Sequence, residues 1–298
     1  MSAAASPPRV VAVGGGHGCA RTLAVLRRLG ADITAVVSVA DDGGSSGRLR
    51  RDHDVVALGD LRSALVALTP EDGPSSGLRE LVAHRFARGD LSGHSLGNLV
   101  LLARLEARSG DLLAALADVA ALLGAAGRVL PSTTAGVTLV AETSAGEVRG
   151  QAAVAATRRI RRVRLEPDDA AAPVGVAAAV AAADLVLIGP GSLFTSLLAN
   201  LLVPGVAVAL EAARRTVLVA NLREQLGETE GMSLGDHLGV LRSHLPQLRL
   251  DAVLADPDSP LGADVGPDGP PVVTAPLAGP RGISHDPDRL AAALRDLL

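Results

Sequence analysis

Residues Ser38 to Arg50 read SVADDGGSSGRLR and follow an apolar run directly. Acids, glycines and serines in that order suit a polar ligand better than a core. Asp41 and Asp42 could hold a ribose hydroxyl or a divalent cation, Gly43 and Gly44 allow close approach, and Ser45 and Ser46 could bond phosphate oxygens. A solvated loop closed by an Asx turn is the plainer use of the same residues. A second glycine cluster, Gly14-Gly15-Gly16-His17-Gly18, lies upstream. Such a turn brings backbone close to an anion that a helix N-terminus favours, although Cys19 stands where a dinucleotide fingerprint has Gly or Ala.

Three further stretches carry polar groups at telling positions. Gly189-Pro-Gly191-Ser192-Leu-Phe-Thr195-Ser puts glycines, amides and hydroxyls behind an apolar strand, and a plain Ser N-cap is the simpler reading. Asn221 to Gly231 again follows a strand and offers Asn221, Glu228 and Thr229 as a third wall. Gly93-His-Ser-Leu-Gly97 fits the nucleophile-elbow spacing, with Asp236 and His285 downstream in the order a Ser95 hydrolase would need. The elbow requires an apolar strand just before it, and His84 to Ser92 is too polar for one. Ser92 or Ser95 therefore reads as a cap for a helix starting near Leu96, with His94 or Asn98 turned to the pocket.

The elements that position these groups follow from apolar spacing. Val10 to Val13, the glycine turn, Cys19 to Leu29 and Ile33 to Val39 form a β-turn-α-β unit opening a parallel sheet. Carboxyl ends of neighbouring parallel strands face one crevice, so Gly14 to Gly18 and Asp41 to Ser46 are expected to meet there. Leucines three and four apart between Asp60 and Leu123 predict several successive helices. Val137 to Ala141 and Glu147 to Ala153 flank a hairpin turn. Leu185 to Ile188 and Leu193 to Leu202 repeat the strand-turn-helix design. Val217 to Ala220 is a strand, Gly262 to Pro276 a surface loop and Pro287 to Leu298 the last helix. The expected organisation is a frayed segment 1–8 and one α/β domain, 9–298, with a helical insertion at about 60–125.

Composition excludes several chemistries. All 28 residues counted as Lys plus Arg are Arg, so a Walker A lysine and Schiff-base catalysis are excluded. Any phosphate must be held by arginines, hydroxyls or amides. One cysteine forbids an internal disulfide, and seven histidines without an HExxH spacing argue against a structural metal. A net charge of −4 gives no general attraction to nucleic acid, and Arg158 to Arg164, without aromatics, reads as an edge strand with solvated arginines. No apolar run reaches membrane-spanning length, and MSAAASPP lacks the features of a signal peptide, so the cytoplasm is the expected compartment. The expected assembly is a homo-oligomer such as a dimer.

Taken together, VAVGGGHG, SVADDGGSSGRLR, GDLR, GHSLGNL, GRVLPST, IGPGSLFTSLLANLLVPG and GETEG, in this order from about residue 9 to 240, resemble the YvcK-like gluconeogenesis factor family. That family is related to the CofD-like 2-phospho-L-lactate transferases. The resemblance implies a Rossmann-like parallel sheet with helices on both faces, and a cytoplasmic regulator that binds a UDP-sugar such as UDP-N-acetylglucosamine. Such regulators support cell shape and wall synthesis under gluconeogenic growth. The related branch implies a transferase using a nucleotide-activated donor and magnesium. By similarity Gly14 to Gly16, Asp41, Asp42, Asp60, Arg62, His94, Asn98, Gly189, Gly191, Ser192, Thr195 and Asn200 line the cleft. No cofactor is required by the first branch, and a magnesium ion would sit on Asp41 and Asp42. The family usually has Thr at the place of His17, Tyr at Phe194, an aromatic at Met232 and Arg at Ser284, and this chain has no Tyr or Trp to stack a base.

Overall fold

A computed structural model describes residues 6–298. Residues 1–5 of the expected frayed segment lie outside the described residues. Pro8 is already tied down, its carbonyl accepting the Asp32 N–H at 2.9 Å.

Seven parallel strands make the central sheet: β1 Arg9–Gly14, β2 Asp32–Val37, β3 Arg128–Pro131, β7 Leu185–Ile188, β8 Thr216–Val219, β9 Ala252–Ala255 and β10 Val272–Thr274. Their order is β10-β9-β8-β7-β1-β2-β3. After its exposed first residue β1 is buried at every position, the pattern of a parallel strand covered by helices on both faces. The intervening β4 Thr138–Thr143, β5 Gly146–Arg149 and β6 Arg162–Glu166 form a small antiparallel sheet in the order β5-β4-β6.

Helix α1 Gly16–Arg28 links β1 to β2, and α2 Gly44–His53, α3 Gly59–Leu68, α4 Ser76–Ala83, α5 Leu96–Ala107 and α6 Leu112–Leu123 fill the connection to β3. Short α7 Gln151–Ala155 and α8 Val174–Ala182 precede β7. A π-helical turn, Leu193–Leu198, then runs into α9 Ala199–Leu201 and α10 Pro204–Glu211; α11 Leu234–His244 and α12 Pro287–Arg295 follow.

The strand order places a topological switch point between β1 and β7: the chain winds outward from β1 through β2 to β3, then outward on the other side from β7 to β10. In such sheets the crevice for a ligand opens beyond the carboxyl ends of the two central strands. Those ends carry the first and the third glycine turns.

Five elements depart from the sequence expectation. Gly44 to His53 is a helix, with Ser45, Ser46, Gly47 and Leu49 buried. A Cβ at Gly47 would lie 1.9 Å from the Asp42 carbonyl oxygen, so only glycine permits that packing. The expected second hairpin strand stops at Arg149, because Gln151-Ala-Ala-Val-Ala155 has high helical propensity and its Ala152 amide is accepted by Asp42 at 2.8 Å. The expected loop 262–276 contains β10, whose three residues pair with β9 on one side only and are masked in sequence by flanking Gly and Pro. Strands β3 and β9, four residues each, carry too little periodicity to stand out.

Among the described residues no single helix is long and apolar enough to cross a membrane. The bent pair Leu193–Leu201 and Pro204–Glu211, at 78°, is apolar enough by composition, but Phe194, Leu198 and Leu201 are packed in this molecule's own core.

Asn200 ties the middle of the sheet together. Fully buried, it donates from Nδ2 to the Gly14 carbonyl at 2.7 Å and to the Val36 carbonyl at 3.0 Å, fixing the carboxyl ends of β1 and β2. Asn200→Leu keeps the volume and removes both donors. The Gly14 carbonyl keeps the Ser38 N–H at 3.1 Å, so the loss is that of two hydrogen bonds at about 0.5–1.5 kcal/mol each, and stability is expected to fall by roughly 1–3 kcal/mol, read as the loss in urea-unfolding free energy.

Candidate functional site

The first glycine turn meets an acid. Asp60, in the first turn of α3, accepts the Gly16 N–H, the first amide of α1, at 2.8 Å. A Cβ at Gly15 would stand 2.6 Å from the same carboxylate oxygen. Asp60 keeps some surface as a residue, but its carboxyl group is enclosed. Loss of solvent pushes its pKa up to about 6, with neighbouring Asp41 adding to the rise, while the Gly16 bond, His17 and Arg62 pull it back.

The acidic stretch divides its work. Asp41 Oδ1 accepts the Gly43 N–H at 2.9 Å in an Asx turn, whereas Asp42 Oδ1 caps α7. Arg50 holds the loop from below by donating to the carbonyls of Ala40, Asp41 and Val137. Gly44 opens α2, whose first turn buries Ser45 and Ser46. Ser45 Oγ accepts from Asn98 Nδ2 at 3.0 Å and lies 3.0 Å from His94 Nδ1, while Arg62 Nε donates to Asn98 Oδ1 at 3.3 Å. The Ser45 proton is then available to His94, whose ring is kept neutral first by burial and then by Arg48. Gly59 packs against this group, since a Cβ there would lie 2.6 Å from Ser46 Oγ and 3.5 Å from Asp41 Oδ2. The loops after β1 and β2 thus adjoin, with the start of α3 filling the space between them.

The turn after β7 is arranged likewise. Gly191 and Asn221 exchange hydrogen bonds, Gly191 N–H to Asn221 Oδ1 at 3.1 Å and Asn221 Nδ2 to the Gly191 carbonyl at 2.9 Å. A Cβ at Gly189 would lie 3.1 Å from the Val219 carbonyl oxygen at the end of β8. Gln225 donates to Ser192 Oγ at 2.7 Å, and Thr229 Oγ1 accepts the Gln225 N–H at 2.8 Å. Glu228, only 3% exposed, faces the N-terminus of the π-helical turn. Neither of its oxygens closes a well-aligned bond. Burial raises its pKa, and the Ser192 and Thr195 hydroxyls and the Leu193 and Thr195 amides around it oppose the rise. At the turns after β1 and β7, two of the three where the sequence suggested an anion, a carboxylate of the protein is already in place.

The open space lies beside these turns. A crevice of about 320 Å³ at the carboxyl ends of β1, β7 and β8 is walled by His17, Gly18 and Arg21 of α1, Pro190 and Gly191, the loop Asn221 to Gln225, and Ile283 to His285. Gly18 allows the two sides to close, as a Cβ there would lie 2.4 Å from the Pro190 carbonyl oxygen. Arg21 Nη1 donates to the His285 carbonyl at 2.8 Å. Among the described residues neither Arg21 nor Arg223 forms an ion pair. His285 is kept neutral, its pKa pushed down to about 4 by burial.

Arg21, Arg223, Glu224 and Gln225 were not singled out in sequence, and Ser284 was noted only as a departure from the family's Arg. Arg21 had one available signal: it stands four residues after His17, on the same helix face. Asn200 lies beneath the site and braces it. Ser95 is fully buried and donates to the Val82 carbonyl at 3.2 Å, Asp236 closes a capping box with Ser233, and His285 belongs to the crevice, so no hydrolase triad forms. Of the basic run, Arg162 to Glu166 is an edge strand with Val163 and Leu165 buried and Arg164 paired to Glu147 and Glu166. No group of three His, Cys, Asp or Glu side chains suited to a metal ion occurs among the described residues.

A doubly wound sheet with a basic crevice at its switch point defines a Rossmann-like α/β protein. The chain belongs to the family of 2-phospho-L-lactate transferase CofD, whose model matches residues 10–264, and within it to the YvcK-like gluconeogenesis factors. A putative gluconeogenesis factor of Mycobacterium tuberculosis is 44% identical over 312 aligned residues, covering 96% of this chain and 89% of the relative. The gluconeogenesis factor of Bacillus subtilis is 39% identical over 253 residues, covering 84% and 78%. A crystal structure of a UPF0052 family member from Bacillus halodurans superposes with a TM-score of 0.91 at 32% identity, covering 98% of this chain and all of that one.

Asp60 gives a signed pH test. Its folded pKa, about 6, lies above the ordinary 3.8, so between these values the native state holds more protons than the unfolded chain, and stability falls as pH rises. Asp60→Asn keeps an acceptor for Gly16 and removes the titration. The wild type is expected to lose on the order of 3 kcal/mol relative to this variant between pH 4 and 7, at 1.36 kcal/mol per unit. Urea melts at each pH measure the difference.

Proposed function

We propose that the crevice between α1, the turn after β7 and the loop after β8 binds a nucleotide sugar of the UDP-N-acetylglucosamine type, and that the protein acts as a cytoplasmic regulator through that binding. One observation carries this reading: two unpaired arginines, Arg21 and Arg223, line a crevice at the topological switch point. A guanidinium matches phosphate oxygens in pairs, and this lysine-free chain has no other strong cation to offer them. The relatives' name, gluconeogenesis factor, supports a role in growth on gluconeogenic carbon; cell shape and wall synthesis as the output are part of the same proposal. A homo-oligomer, such as a dimer, belongs to the same proposal.

Magnesium at Asp41 and Asp42 fits poorly, because each carboxylate already holds an amide in a different element. No step is assigned to it. The second reading is transfer of a phosphoryl-linked group from a nucleotide-activated donor; the matching family's description, 2-phospho-L-lactate transferase, supports the transferase part of it.

UDP-N-acetylglucosamine is expected to raise the melting temperature and to be recovered intact after incubation, with or without magnesium. Arg21→Ala and Arg223→Ala should each weaken binding roughly tenfold to a hundredfold, the worth of a hydrogen bond to a charged group. Calorimetric titration checks this. Consumption of the ligand would favour the transferase, and variants that bind like the wild type would remove the crevice from the reading.

A further inference from the structure

We infer that the same crevice accepts a second class of ligand, a phosphoester or diphosphate carrying an aliphatic chain, with the chain lying in a hollow beside the crevice. The inference rests on the arginine-lined anion site proposed above. The hollow, about 620 Å³, shares Arg223 and Glu224 with the crevice and is otherwise walled by Leu226, Gly231, Met232, Ser233, Pro260 and Leu261. Its apolar groups are aliphatic, and Leu226 is 81% exposed at its mouth. Ile283, 55% exposed, stands on the opposite bank of the crevice.

The polar side chains of the hollow are already engaged. The Glu224 carboxylate accepts the Gly231 N–H. Ser233 and Asp236 bond each other reciprocally in the capping box of α11. Arg223 is the charged group left without a partner, and its guanidinium reaches across to Gly282, within 3.3 Å of where a Cβ would stand, on the crevice side. A base or a sugar entering the hollow would lose water from several hydrogen-bonding groups and find few free ones in return. A hydrocarbon chain loses nothing polar and covers Leu226 and Met232. Charge at the arginines and an aliphatic, internally satisfied hollow next to them therefore select a molecule with an anionic head and an apolar tail.

The test compares inorganic pyrophosphate, UDP and geranyl diphosphate by calorimetric titration on the whole chain, all below micelle-forming concentration. Geranyl diphosphate is expected to bind at least tenfold tighter than pyrophosphate. Leu226→Ser, at an exposed position that leaves the fold intact, and Met232→Ser should each cut that gain while leaving pyrophosphate unchanged; Arg223→Ala should weaken both ligands. Pyrophosphate binding with no gain from the geranyl chain overturns this inference alone. So does a gain for UDP that Leu226→Ser abolishes while the geranyl chain gains nothing, which would make the hollow a base slot. Failure of all three ligands to bind overturns both this inference and the anion site on which it rests.

Discussion

Positive ends of helices crowd one edge of this sheet. The helices α1, α2 and α3 and the π-helical turn all begin near the carboxyl ends of β1, β2 and β7, each contributing unsatisfied amides and partial positive charge. The protein answers with its own acids: Asp60 on the first amide of α1, Glu228 before the turn at Leu193 and Asp42 on α7. The raised pKa values of Asp60 and Glu228 record what this arrangement costs in solvation. With a carboxylate already facing the first turn of α1 and the π-helical turn, a bound anion would meet the protein's own negative charge there, and on the proposed reading the arginines of the crevice carry its recognition.

The glycines keep a geometric role. Gly15, Gly18, Gly47 and Gly59 each bring backbone to within a distance that a Cβ would forbid, so α1, α2 and α3 can start side by side. The far wall is assembled from the chain's other end. Asp256, at the end of β9, accepts the amides of Leu277 and Ala278 at 2.6 and 2.7 Å, Arg21 holds the His285 carbonyl, and Arg28 pairs with Asp288. These bonds tie the segment 277–288 to β9 and α1, and through it Ser284 and His285 reach the crevice. The small sheet is fastened in a comparable way: the β6 edge donates its Val163 N–H to His244 Nε2 at 3.0 Å, an acceptor in the neutral imidazole that burial favours.

Much of the central sheet was legible because parallel strands buried on both faces announce themselves as unbroken apolar runs. Val10 to Val13, Leu185 to Ile188 and Val217 to Val219 are such runs, Ile33 to Val37 is one broken only by Thr34, and each is a strand. The helices of the insertion were equally plain from leucine spacing. Less visible were features set by tertiary partners. Gly44 to His53 is helical only because Gly47 can seat on Asp42 and Leu49 can bury, and β10 exists because β9 offers an edge. The polar motifs were found, but sequence could not say which polar atom would satisfy which. Thus Asp41 and Asp42, adjacent in the chain, serve different elements, whereas Asp60 and Gly16, 44 residues apart, bond each other.

The absence of Tyr and Trp adds a further physical constraint. A nucleobase is ordinarily held by stacking on an aromatic face together with hydrogen bonds to its edge. Both phenylalanines lie elsewhere: Phe194 is sealed in the core, and Phe86 packs edge-on against His84. Around the crevice the neutral hydrogen-bonding side chains are Asn221, Gln225, Ser284 and His285; Asn221 is engaged with Gly191 and the Gln225 side-chain amide nitrogen with Ser192, whereas Gln225 Oε1 and His285 Nε2 have no protein partner among the described residues. On the reading proposed above, selectivity comes mainly from charge and shape: two guanidiniums would fix an anionic centre, and whatever flanks it would be sorted by fit to aliphatic walls. Such a site discriminates strongly between charged and uncharged ligands and weakly among bases, a profile that follows from the composition of the wall rather than from the fold that carries it.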